Sequence, residues 1–217
     1  MHQEDTIRAA RAGKPVLCEK PMSVNVEAGR TMIRACREAG VQLAVGYRCQ
    51  FDPHHTACMQ IAPNQQHGTH RHIDAGFGFR FGDYPWGDLR RWRLERELAG
   101  GGALMDVGID ALQACRYLTG QDPNSVMARE TKTDPIKFAE VDETILWSME
   151  FPNGVTANCS TTYGFGGINH ARPTQTEANL AFRPHLVTVE SKGFRATNHS
   201  TNPQLTSSQL RSMTFRT

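Results

Sequence analysis

A chain of 217 residues can bury roughly 70% of its unfolded surface in one large domain or two small ones. Its 39% hydrophobic and 21% charged residues, at a mean hydropathy of −0.49, exclude an intrinsically disordered chain, a collagen and a coiled coil. No window reaches the ~18 consecutive apolar residues of a membrane helix, and the amino terminus lacks a signal-peptide layout, so the cytoplasm is the expected compartment. The net charge of +2 divides unevenly, with −2 over residues 1–170 and +4 over residues 171–217, where 13 Ser or Thr accompany no Asp. Such scattered charge predicts a poorly ordered end in preference to a nucleic-acid surface.

In chain order, Ile7 and Ala10 lie in a short helix that Gly13 stops, and Pro15 to Cys18 reads as a buried strand. Asn25 is placed to cap a helix whose apolar stripe is Val26, Met32, Ile33 and Cys36, with Gly40 at its carboxyl end. Val41 to Val45 is the next strand. Strand, helix, strand with tight loops is a parallel crossover, whose ligands bind beyond the carboxyl ends of the strands. That rule selects Glu19-Lys20-Pro21 and Gly46-Tyr47-Arg48. A short helix is expected from Asp52 to Ile61, a loop at Pro63 to Gln66, and an extended stretch from Thr69 to Phe81. Gly100-Gly101-Gly102 opens a helix running from Ala103 to Leu118, with a core stripe of Leu104, Val107, Ala111, Ala114 or Cys115, and Leu118. The remainder predicts strands at 125–130, 144–151, 155–162 and 186–190, with Pro152-Asn153-Gly154 as a hairpin turn.

Three places carry residues suited to chemistry. Lys20, at the carboxyl end of a strand, is a compact cationic donor beside a turn-fixing proline; alone, Glu-Lys-Pro is also an ordinary turn. Asp106 and Asp110 stand four apart on one helix face, where mutual repulsion and shielding raise a carboxyl pKa toward acid/base work; the alternative is a solvated polar face. Three glycines before that helix allow close approach of another backbone or a ligand. Arg90 to Glu97 is either an anion clamp or a solvated face of alternating charge. His54, His55, His67, His70 and His72 match no strong metal spacing, so no metal is expected. Six cysteines without a C-x-x-C pair predict buried reduced thiols.

The runs Lys14 to Met22, Gly46 to Pro53, Trp92-Arg93, Glu97 to Ile109 and Arg116 to Gly120 resemble, in order and spacing, the Gfo/Idh/MocA family of NAD(P)-dependent oxidoreductases, most of all its glucose-fructose oxidoreductases. The likeness covers residues 2–170. It implies an α/β fold: a partial Rossmann-like unit over 1–47, followed over 48–217 by a substrate domain on a large open, mostly antiparallel sheet. It also implies NADP or NAD, a sugar or polyol substrate, no nucleic-acid or membrane partner, and homo-oligomers formed through the open sheet. By matching position, Lys20 holds the reacting oxygen and helps place the nicotinamide, with Glu19, Pro21 and Arg48 on the cofactor side. Trp92, Arg93, Asp106 and Asp110 face the substrate. Lys20, Asp106 and Asp110 are the expected catalytic set.

Two departures qualify that picture. The family's proton-transferring His or Tyr is replaced by Asp110, which serves as a base only with a lifted pKa. A G-x-G-x-x-G fingerprint is absent from the chain, so the first β-α-β units have no counterpart. The chain is therefore expected to be amino-terminally truncated and to bind the cofactor weakly by itself. A non-catalytic sugar-binding or scaffold protein is the rival expectation.

Overall fold

The computed structural model describes residues 2–51, 69–83, 85 and 88–175, and the backbone of three strands within 178–198. The expected helix at 52–61, the loop at 63–66, His54, His55, His67, Cys58 and residues 201–217 lie outside the described residues.

Helix α1 (His2–Arg11) carries Glu4 and Asp5 in its first turn and Arg11 in its last, the arrangement the helix dipole favours. It packs on α2 (Val26–Glu38) and on β1 (Val16–Glu19), which pairs in parallel with β2 (Leu43–Gly46). Asn25 caps α2 as expected, its Oδ1 accepting the Ala28 N–H at 2.9 Å. The buried stripe differs from the expected one. Ala28, Met32 and Cys36 recur every four residues and are buried, whereas Val26 and Ile33 are exposed. At about 100° per residue, Ile33 is one step off the stripe and Val26 lies on its far side. Likewise β1 is not buried on both faces: Cys18 is buried, but Leu17 is 77% exposed, because successive strand residues face opposite ways.

The second unit is an eight-stranded sheet in the order β10-β9-β8-β7-β3-β6-β5-β4. Only β3 (His70–Gly78) and β6 (Thr156–Thr162) run parallel; every other pairing is antiparallel. Strands β4 (Ser125–Thr131) and β5 (Thr144–Glu150) complete one side, and Pro152-Asn153-Gly154 makes the β5–β6 turn. On the other side, β7 (Ile168–Gln175), β8 (Ala178–Arg183), β9 (Leu186–Ser191) and β10 (Phe194–Asn198) extend the sheet as a meander. These strands take their place in the sheet within the stretch where composition predicts a poorly ordered end.

A short helix, α3 (Arg96–Ala99), ends at Gly100, and α4 (Ile109–Thr119) follows a π turn over Leu104–Gly108. Val107, Ala111, Cys115 and Leu118 are buried as the expected stripe requires, with Cys115 rather than Ala114 innermost. Ala111, Cys115 and Leu118, with Leu104 partly buried beside them, close a core with Ile73, Ala75, Trp147, Met149 and Ala157, whereas Val107 joins a second cluster with Phe81, Phe138 and Tyr163. Four cysteines, Cys18, Cys36, Cys115 and Cys159, are buried free thiols, the last two with Sγ atoms 3.6 Å apart.

Candidate active site

The site forms where the turn after β1 meets the start of the long helix. The turn is tied down by His2, whose Nδ1 lies 3.0 Å from the Pro21 carbonyl; its Lys20-Pro21 bond is cis, and the Glu19 carboxylate accepts the Lys20 N–H at 3.1 Å. The Lys20 side chain reaches across. Its ammonium donates to the Asp106 backbone carbonyl and lies 3.3 Å from Asp110 Oδ2 and 4.0 Å from Asp106 Oδ1. Arg93 Nε stands 3.3 Å from Asp106 Oδ2, while its guanidinium stacks on the Trp92 ring at 4.7 Å. Arg48, exposed after β2, reaches Asp110 with its charge.

Of the expected residues, Lys20, Arg93, Asp106 and Asp110 therefore converge directly. Trp92 supports Arg93, Arg48 stands at the edge, and Glu19 and Pro21 shape the turn without joining the cluster. The Arg90–Glu97 run is neither a single clamp nor a free face. Arg90 pairs with Asp88 at 2.6 Å and Arg96 donates to the Glu140 carbonyl, leaving Arg93 as its contribution to this cluster.

Charge is nearly balanced, with two cations and two carboxylates at the centre. Burial pushes the Asp110 carboxyl above the usual carboxylate range; the Lys20 ammonium draws it back, and Asp106 adds to the rise. Tyr47 is pushed up to about 12, by burial first and then by the Asp110 charge. A carboxyl that keeps a proton more readily than usual, beside an ammonium that can hold an oxygen, is suited to exchanging a proton with a bound hydroxyl.

Sequence reasoning did not identify Asp142, Tyr163 or His2. Asp142 explains Gly102. Its Oδ1 accepts the Gly102 N–H and its Oδ2 the Leu104 N–H, each at 2.7 Å, and its carbonyl accepts the Ala103 N–H at 3.2 Å. A Cβ on Gly102 would stand 2.0 Å from that carbonyl oxygen. Gly100, at φ +81°, abuts the Val24 backbone and so joins the two units. The close approach expected of the glycines is made by protein backbone. Tyr163 donates its phenol to Asp106 Oδ2 at 2.8 Å. A tyrosine directly after the predicted 155–162 strand and before Gly164 is the available signal.

Residues 1–47 match the family described as "Oxidoreductase family, NAD-binding Rossmann fold", and residues 56–176 match the GFO/IDH/MocA C-terminal domain. The chain is 33% identical over 157 residues to 1,5-anhydro-D-fructose reductase of Ensifer adhaerens, covering 72% of this chain and 46% of the relative. It is 26% identical over 206 residues to D-xylose 1-dehydrogenase [NADP(+)] of Haloarcula marismortui, covering 94% and 57%. Among solved structures, an aldose-aldose oxidoreductase from Caulobacter crescentus, complexed with glycerol, superposes with a TM-score of 0.85 at 36% identity, over 98% of this chain and 64% of that one. The chain thus spans about half the length of the curated relatives it matches. With both of its domain descriptions matched in order, this chain belongs to the GFO/IDH/MocA family of oxidoreductases.

Proposed function

We propose that this chain carries the reacting residues of a cytoplasmic oxidoreductase that moves a hydride between a sugar or polyol hydroxyl and NAD or NADP. The observation that carries the proposal is the convergence of Lys20 from the first unit with Asp106 and Asp110 from the second. A cation flanked by two carboxylates at the carboxyl end of a parallel strand fits the nicotinamide end of such a cofactor, with Lys20, Glu19, Pro21 and Arg48 on its side. The chain contains no glycine fingerprint for the pyrophosphate. When bound, the nicotinamide supplies the carbon that takes up or returns the hydride.

The chain's own residues do the rest. Lys20 holds the reacting oxygen and stabilises negative charge on it. Asp110 takes the hydroxyl proton in oxidation and returns it in reduction, a role suited to its raised pKa. Asp106, held by Arg93, accepts a neighbouring hydroxyl and orients the carbon chain. The exposed length of β4, with Met127 and Leu146 on open sheet surface, supports association of identical chains through that face. The free Cys115 and Cys159 thiols, hydrogen-bonded to each other, suit a reducing compartment.

The test is hydride transfer followed by nicotinamide absorbance, with D-xylose, D-glucose and glycerol as substrates and the cofactor in excess. Turnover by the wild type, with kcat/KM reduced about 100-fold or more in Lys20→Ala, supports the proposal. Sugar binding without any hydride transfer overturns it in favour of a non-catalytic sugar-binding protein.

A further inference from the structure

Tyr163 follows β6 directly and is fixed from several directions. Its N–H donates to the Glu143 carbonyl and its own carbonyl accepts from Phe81, both at 2.8 Å. Phe79 and Phe81 pack its ring at centroid distances of 5.2 Å, and Phe138 packs it at 6.2 Å. The side chain is almost wholly buried. Its phenol meets the active-site cluster, donating to Asp106 Oδ2 at 2.8 Å, the oxygen that Arg93 Nε also approaches at 3.3 Å. The other oxygen of the same carboxylate, Oδ1, has among the described residues only the longer 4.0 Å pairing with Lys20.

We infer that Tyr163 is a positioning residue. By anchoring Oδ2 of Asp106 it keeps Oδ1 beside Lys20, where a hydroxyl adjacent to the reacting one is accepted. The inference rests on the hydroxyl-binding role proposed for Asp106. Arg93 does not replace the anchor, because its guanidinium is partly exposed, lies farther from Oδ2, and is shared with the Trp92 ring. Tyr163 is the rigid partner, since strand backbone and three aromatic rings hold it. Burial and the charge of Asp106 push the phenol well above its ordinary range, so it keeps its proton and remains a donor. A carboxylate with one oxygen saturated and the other presented selects substrates bearing a second hydroxyl beside the reacting carbon.

Tyr163→Phe tests this, because it keeps the ring and its packing and removes only the hydroxyl. With D-xylose, KM is expected to rise about tenfold, the scale of one hydrogen bond to a charged group, with kcat changed less than about twofold. In an Asp106→Ala background the same substitution is expected to raise KM no further, since its effect passes through Asp106. Side-chain coupling constants of Asp106, measured without substrate, are expected to report one rotamer in the wild type and averaging in Tyr163→Phe. An equal rise in KM with and without Asp106, or an Asp106 rotamer unaffected by the substitution, overturns the inference. Should the wild type turn over no aldose, the proposed function fails, and the rotamer measurement alone decides whether Tyr163 fixes Asp106.

Discussion

The two units that meet at Lys20 are built to different standards of packing. In the first, α1 packs on α2 and on β1 of two parallel strands, and Leu17 and Val26 stand 77% and 70% exposed. In the second, Ile73, Cys115 and Ala157 are wholly enclosed between α4 and the sheet, and Phe81, Phe138, Val141 and Tyr163 form a further buried cluster. The carboxylates therefore sit on a closely packed helix, whereas the cation arrives on a turn of a thinly covered unit. The lesson is one of dependence. The acidic half of the site is set by the second unit alone, but its pairing with Lys20 requires the two units to stay docked, partly through Gly100 against Val24.

Substitutions can break that contrast, and the largest effect is expected in the second unit. Gly102→Ala places a methyl group 2.0 Å from the Asp142 carbonyl oxygen, and a loss of about 3 kcal/mol or more is expected in chemical denaturation. Asp142→Ala removes acceptors from two helix N–H groups and is expected to cost about 2 kcal/mol, read from the same midpoint shift.

Asp110→Asn sharpens the contrast by pH. A carboxyl whose pKa is raised in the folded state binds more protons there than in the unfolded chain. Its ionisation therefore removes stability as pH climbs from the ordinary carboxylate value through the raised one. Melting curves across that window should show the variant gaining on the wild type as pH rises; a wild type that gains instead contradicts the shift. The smallest effect belongs to the open unit: Leu17→Ser, on an exposed face, should change stability by no more than about 0.5 kcal/mol. A loss near that of a core substitution would show that Leu17 is covered in solution.

Much of this layout is legible in the residues, for reasons that also mark the limit. The stripe from Val107 to Leu118 follows the helical period, and Asn25 announces the start of α2, because local periodicity and capping chemistry act within a few residues. Lys20 and the two aspartates can be nominated for the same reason: charge at the end of a strand or on one helix face is a local pattern. Asp142 and Tyr163 act across 38 to 57 residues of sequence, a distance at which pattern carries no geometry. Strand β7 is hidden in another way. Its inward positions are Ala171, Pro173 and Gln175, so it lacks the apolar alternation that signals a strand and contains a proline that argues against one. The π turn at Leu104–Gly108 has no sequence mark at all, since its residues suit an ordinary helix equally well.

Asp142 also settles which anions the glycine run can receive. Three consecutive amides, at Gly102, Ala103 and Leu104, point at one residue of the same chain, and that occupant is covalently tethered. A free phosphate or sugar acid would have to displace a competitor that cannot diffuse away. The glycine run, where close approach of a backbone or a ligand is expected, is a socket that folding itself has plugged, so no second anion is drawn to the helix end beside Asp106 and Asp110.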